Sequence, residues 1–143
     1  MGEFKLEMWT DVIKAAAAIK ASDVFWKPGI NPRCKLKGVV EEAPGGPWPV
    51  LVPEDTVALA RKLMTEKQWE RFQDFPERDL GLTIPDICRL RINIYSERGN
   101  VCAVMRIIPL DIPTVDDLEM PVVLKDISMS PQGLVLVTGP TGC

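Results

Sequence analysis

The chain has 143 residues, 46% of them hydrophobic and 26% charged, with a formal net charge of −3. That length suits one domain with a proper core, and the balance is that of a soluble globular protein without a strong nucleic-acid footprint. Four cysteines form no C-x-x-C pair and no histidine is present, which excludes the usual zinc sites and histidine-activated nucleophiles and points to a reduced cytoplasmic setting. No apolar run approaches the roughly 20 residues that span a bilayer.

In chain order, Met1-Gly2-Glu3-Phe4-Lys5-Leu6-Glu7 reads as a leader of the kind cloning sites encode, with Met8 as the natural start, and it is set aside from fold reasoning. Residues 9–20 read as a helix with Thr10 as N-cap, Asp11 in the first turn, and Val12, Ala15, Ala16 and Ile19 on one face. Residues 23–26 and 33–40 read as strands, and the Pro/Gly-rich stretch 43–49 as a loop. Asp55 or Thr56 is expected to cap a helix over 57–64, with Pro53 just ahead. Thr65 is expected to cap the next helix, with a core stripe of Trp69, Phe72 and Phe75. Leu80, Leu82 and Ile84 alternate as a strand, and 88–95 and 101–108 form two longer strands joined by Glu97-Arg98-Gly99-Asn100. Residues 110–120 read as a linker with a helical turn at 115–118, where Asp116 and Asp117 support a helix start. Pro121 opens a short helix over 121–127.

The long hairpin carries the charged pattern of most interest. Cys88, Leu90, Ile92 and Ile94 point one way; Arg89, Arg91, Asn93 and Tyr95 point the other. On the second strand Val101, Ala103, Met105 and Ile107 form the apolar face, opposite Cys102, Val104, Arg106 and Ile108. Matching apolar face to apolar face fixes the parity of the pairing, because a one-residue slip turns every side chain over, and loops of two or four residues give the same register. Arg91 is then directly across from Arg106, Asn93 from Val104, and Arg89 from Ile108. Like charges opposite one another are unfavourable by some tenths of a kcal/mol. Either an anion between the guanidinium groups offsets that cost, or the arginines splay into solvent or pair with acids such as Asp79 or Glu97.

The tail, Gly133-Leu134-Val135-Leu136-Val137-Thr138-Gly139-Pro140-Thr141-Gly142-Cys143, is an apolar strand entering a Gly-rich turn. It matches the front half of a phosphate-binding loop, G-x-x-x-x-G-K-[ST], with Gly139 as first glycine and Pro140, Thr141, Gly142 and Cys143 as spacer. The second glycine, the lysine and the Ser/Thr are expected beyond Cys143. The other reading is a buried strand that ends in an ordinary Gly-Pro turn.

From residue 9 onward the chain resembles the N-terminal part of the twitching-motility ATPases, the PilT/PilU type of type IV pilus retraction motor within the secretion-ATPase superfamily. Four blocks carry the resemblance: Ala21-Ser22-Asp23 with Pro28-Gly29 and Pro32; Arg89-Leu90-Arg91-Ile92-Asn93 through Arg98 to Val104-Met105-Arg106-Ile107-Ile108-Pro109; Ile112-Pro113-Thr114 with Asp117-Leu118 and Pro121; and 133–142. Phe25 stands where that family usually has histidine, and Cys143 where it usually has serine. Retraction motor, accessory motor, and assembly-type or type II secretion ATPase remain open subfamilies.

The resemblance implies an α+β fold: a PAS-like N-terminal domain over 8–109 with a mainly antiparallel sheet and flanking helices. A linker over 110–132 and the first strand of a RecA-like ATPase domain over 133–143 follow it. It implies a parent that is a homo-hexameric P-loop ATPase using ATP and Mg²⁺, cytoplasmic and peripheral to the inner membrane. That parent would work with inner-membrane pilus machinery proteins, without inserting into the bilayer and without nucleic acid. Family arginines approach the nucleotide phosphates. That role carries over to Arg91 and Arg106, with Arg89 and Arg98 beside them and Gly139 to Cys143 on the loop. The chain alone is expected to need no cofactor and to hydrolyse no ATP. A non-enzymatic PAS-like module that binds a ligand or partner is the competing class; a deep apolar pocket in the sheet would mark it, and a filled core would mark the motor.

Overall fold

The computed structural model describes residues 4–139. The chain divides into two compact units, Met1–Leu110 and Asp111–Cys143.

The first unit is built on one six-stranded antiparallel sheet. In chain order its elements are α1 (Met8–Ala18), β1 (Asp23–Trp26), β2 (Arg33–Leu36), β3 (Val39–Glu42), α2 (Pro53–Leu63), α3 (Glu66–Asp74), β4 (Glu77–Ile84), β5 (Cys88–Glu97) and β6 (Asn100–Pro109). Strand order across the sheet is β3-β2-β1-β6-β5-β4, so β1 and β6, far apart in sequence, lie side by side at the centre. The α+β, antiparallel expectation holds.

The core forms where the helices cover one face of the sheet. Val12, Ile13 and Ala16 of α1, Leu59 and Ala60 of α2, and Phe72 of α3 are buried with Val24, Trp26, Leu90, Ile92, Ile94 and Met105. Each such large side chain contributes roughly 1.5–3 kcal/mol of burial free energy. Among the described residues, an apolar hollow lined by Trp9, Leu63, Leu80, Leu82 and Ile92 measures about 220 Å³. Small-molecule sites usually measure about 300–1,000 Å³.

Several local expectations are corrected. α1 starts at Met8 with Glu7 in the cap position, and the Thr10 hydroxyl donates back to the Glu7 carbonyl instead of capping. Ile13, not Ile19, completes the buried stripe of α1, because the helix ends at Ala18. Phe4, set aside with the leader, packs edge-on against Trp26 at 5.9 Å and is only 8% exposed. The single strand expected over 33–40 is a hairpin, β2 and β3, turned at Lys37 and Gly38 with φ of 49° and 86°. Two positive φ values suit the type I′ turn that joins tight hairpins. α2 begins four residues early, with Pro53 in the first turn and the Asp55 carboxylate accepting from the Val52 N–H at 2.8 Å. Thr65 does cap α3, reciprocally with Gln68. Its stripe keeps Phe72 in the core and Trp69 stacked on it at 5.7 Å, but Phe75 follows the helix and is 74% exposed.

In the second unit Asp117 accepts from the backbone and hydroxyl of Thr114, closing a turn over 114–119. A short helix, α4 (Val123–Ser128), follows, and Lys125 bonds Asp116. Residues 133–138, expected as a strand, pair with no strand among the described residues, and Leu134 to Val137 are exposed. Strand propensity is legible locally, but a ladder needs a neighbour for its N–H and C=O groups. No helix among the described residues is long and apolar enough to cross a membrane.

Candidate functional site

The site lies on the sheet face opposite the core, and it follows from the register of β5 and β6. Arg91 pairs with Arg106, Asn93 with Val104, and Arg89 with Ile108, as the alternation predicts. The two central residues of the connecting turn, Arg98 and Gly99, take φ of 52° and 80°, again the left-handed pair of a tight hairpin.

Sheet order then extends the row sideways. Lys35 on β2, Asp23 on β1, Arg106 on β6, Arg91 on β5 and Gly81 on β4 are successive cross-strand partners. A side chain at Gly81 would meet nothing within 4 Å, so β4 leaves the space beside Arg91 open. Asp23, Glu77, Asp79, Arg91, Asn93, Val104 and Arg106 line a cleft of about 410 Å³.

Both arginines have acidic neighbours. The Arg106 Nε donates to Asp23 Oδ1 at 3.1 Å, and an Arg91 terminal nitrogen is 3.7 Å from Asp79 Oδ2. The Asp79 alternative raised from the sequence is thus met for Arg91. Glu97 is not an arginine partner: it takes a two-pronged bond from Lys27 at 2.9 Å, which holds its carboxyl below the usual range and the Lys27 amine above its own. Acid pairing offsets part of the like-charge cost at Arg91–Arg106, so an anion is not required for the fold. The guanidinium ends remain reachable, with side chains 67% and 64% exposed. Among the described residues, the terminal nitrogens of Arg106 have no hydrogen-bond partner.

The remaining sequence-predicted residues separate. Arg89 shares the Arg91 face and lines an adjoining hollow with Asp79, Gly81 and Ile108. Arg98 is in the hairpin turn, roughly 20 Å along an extended strand from Arg91, and does not enter the cleft. Gly139 belongs to the second unit, and Pro140, Thr141, Gly142 and Cys143 lie outside the described residues. Asp23 was missed as a site residue. Its one local signal is an acid opening the apolar run Val24-Phe25-Trp26; nothing local says that β1 lies beside β6.

Among the described residues no cluster of histidine, cysteine or acid could hold a metal ion. Burial pushes the Cys34, Cys88 and Cys102 thiols up, which disfavours the nucleophilic thiolate at all three.

The chain is 35% identical over 133 residues to the type IV pilus retraction ATPase PilT of Pseudomonas aeruginosa, covering 93% of this chain and 38% of the relative. A crystal structure of the pilus retraction motor PilT with bound ADP matches 98% of the chain at 32% identity with a TM-score of 0.77, covering 39% of that protein. The chain belongs to the twitching-motility ATPase family. Its sheet and helices match the N-terminal domain of such an ATPase. Another family member, the type IV pilus ATPase PilU of Pseudomonas aeruginosa, is 32% identical over 121 residues, covering 85% of this chain and 31% of the relative. The chain therefore spans less than two-fifths of the length of these twitching-motility relatives. No protein-family model matches it.

Proposed function

We propose that this chain is the N-terminal part of a hexameric motor ATPase that powers pilus retraction, and that Arg91 and Arg106 meet the phosphates of ATP. The observation that carries the reading is the guanidinium pair facing an open cleft in a chain homologous to a retraction ATPase. Arg91 and Arg106 suit phosphate oxygens because charge-assisted N–H···O bonds from a planar fork are strong and directional. The cleft also holds three carboxylates, Asp23, Glu77 and Asp79, so a phosphate must draw Arg91 off Asp79.

The remaining parts of the reading follow the family. Gly139 to Cys143 open the phosphate loop, Arg89 and Arg98 serve nucleotide or a neighbouring subunit, and Mg²⁺ enters with ATP. Bound ATP would supply the phosphoryl group and the metal its charge neutralisation; this chain's residues would bind and orient. The parent would be cytoplasmic, peripheral to the inner membrane and partnered with pilus machinery proteins.

The test is steady-state ATPase activity of the full-length parent. Arg91→Gln and Arg106→Gln are each expected to lower kcat by about 10³-fold or more, the scale of arginines that stabilise phosphoryl transfer. Unchanged kinetics in both variants would overturn the proposal.

A further inference from the structure

The two arginines of the cleft are held in different ways. Arg91 is 3.7 Å from Asp79, beyond hydrogen-bond reach, and both side chains are more than half exposed. Arg106 is bound through Nε to an acid whose side chain is only 10% exposed.

That acid, Asp23, is itself fixed from several sides. Its Oδ2 accepts from the Ser22 hydroxyl at 2.7 Å while Oδ1 takes the Arg106 Nε–H. The Ser22 backbone is tied into both neighbouring strands: its N–H donates to the Lys35 carbonyl and its carbonyl accepts from the Ile107 N–H, each at 2.9 Å. Asp23 is also the direct cross-strand partner of Arg106 on the central strand β1. A buried carboxylate requires such partners, since an unpaired one is costly. A guanidinium gripped at Nε keeps its end-on pair of terminal nitrogens free, and those are the donors a phosphate takes two at a time.

We propose that Asp23 is a positioning residue: it grips Arg106 by Nε and presets its terminal nitrogens toward the cleft, whereas Arg91 has no such support. The proposal deepens the phosphate-facing reading and rests on it. Arg106 is then the preorganised ligand and Arg91 the one that swings in. Misplacing a positioned group can cost about 10²-fold in rate.

Two experiments test this. In the full-length parent, Asp23→Asn is expected to lower kcat roughly 10- to 100-fold, with a smaller change in KM for ATP. In an Arg106→Gln background the same change is expected to cost nothing further. An equal loss in both backgrounds overturns the proposal. Arg106→Lys, which cannot hold the acid and present a fork at once, is expected to lose a similar factor; full activity of that variant also overturns it. The second experiment uses no nucleotide. In NMR spectra of this chain, the Arg106 Nε–H is expected to exchange with water at least tenfold more slowly than that of Arg91. Equal exchange in the unmodified chain overturns the grip itself, whether or not Asp23→Asn folds. Unchanged kinetics in Arg106→Gln instead overturn the phosphate role on which the proposal rests.

Discussion

The two faces of the β5–β6 ribbon obey different physics. On one face Cys88, Leu90, Ile92 and Ile94 are buried with Met105 and Ile107, and their free energy comes from removing apolar surface from water. On the other face Arg91, Asn93 and Arg106 stand in or near solvent, and their placement contributes little to holding the ribbon together. The apolar face therefore selects the register, and the charged face inherits it. Two arginines meet because six apolar side chains must face the helices, not because the arginines attract.

The contrast can be broken first on its strong side. Ile92→Ala is expected to destabilise the fold by about 2–5 kcal/mol in urea denaturation, the usual range for truncating a fully buried side chain. A loss below 1 kcal/mol would show that the register has another source.

The charged face contains one exception. Arg106→Gln leaves the buried Asp23 carboxylate without its charged partner, and is expected to cost about 1–2 kcal/mol, reduced by the exposure of the guanidinium. Thermal or urea unfolding measures it. Gly99→Ala places a side chain at φ 80° in the turn and is expected to cost about 1 kcal/mol without changing the pairing, which amide NMR would confirm. Arg91→Gln is expected to change stability by less than about 0.5 kcal/mol, because the loose Asp79 pair is lost together with a like-charge contact. A large loss there would mean that the charged face does help set the register.

The smallest effect concerns the ribbon's far end. The Lys27 bond lowers the Glu97 pKa, so the folded state binds that proton less readily than the unfolded chain. The stabilisation by this pair is present above the ordinary carboxylate range and fades as pH falls through the lowered folded value. An NMR pH titration of Glu97 should show the depressed midpoint, and Lys27→Ala should return it toward normal.

Much of this was legible one residue at a time. Strict alternation over 88–95 and 101–108 fixed the parity of the pairing, and the short Glu97-Arg98-Gly99-Asn100 connection then put Arg91 across from Arg106. Thr65 and Gln68 announced α3 through a local bond that forms within four residues. The turn at Lys37 and Gly38 was harder to see, since lysine seldom takes a positive φ and the alternation of 33–40 runs through it unbroken.

Local chemistry in the chain sets where strands run, which way their side chains face, and that two guanidinium groups lie side by side. It carries no record of which strand lies beside β6, since contacts between residues 23 and 106 depend on how the whole sheet folds over its core. That non-local neighbour makes Asp23 the anchor of Arg106 and turns a pair of like charges into one held arginine and one loose one.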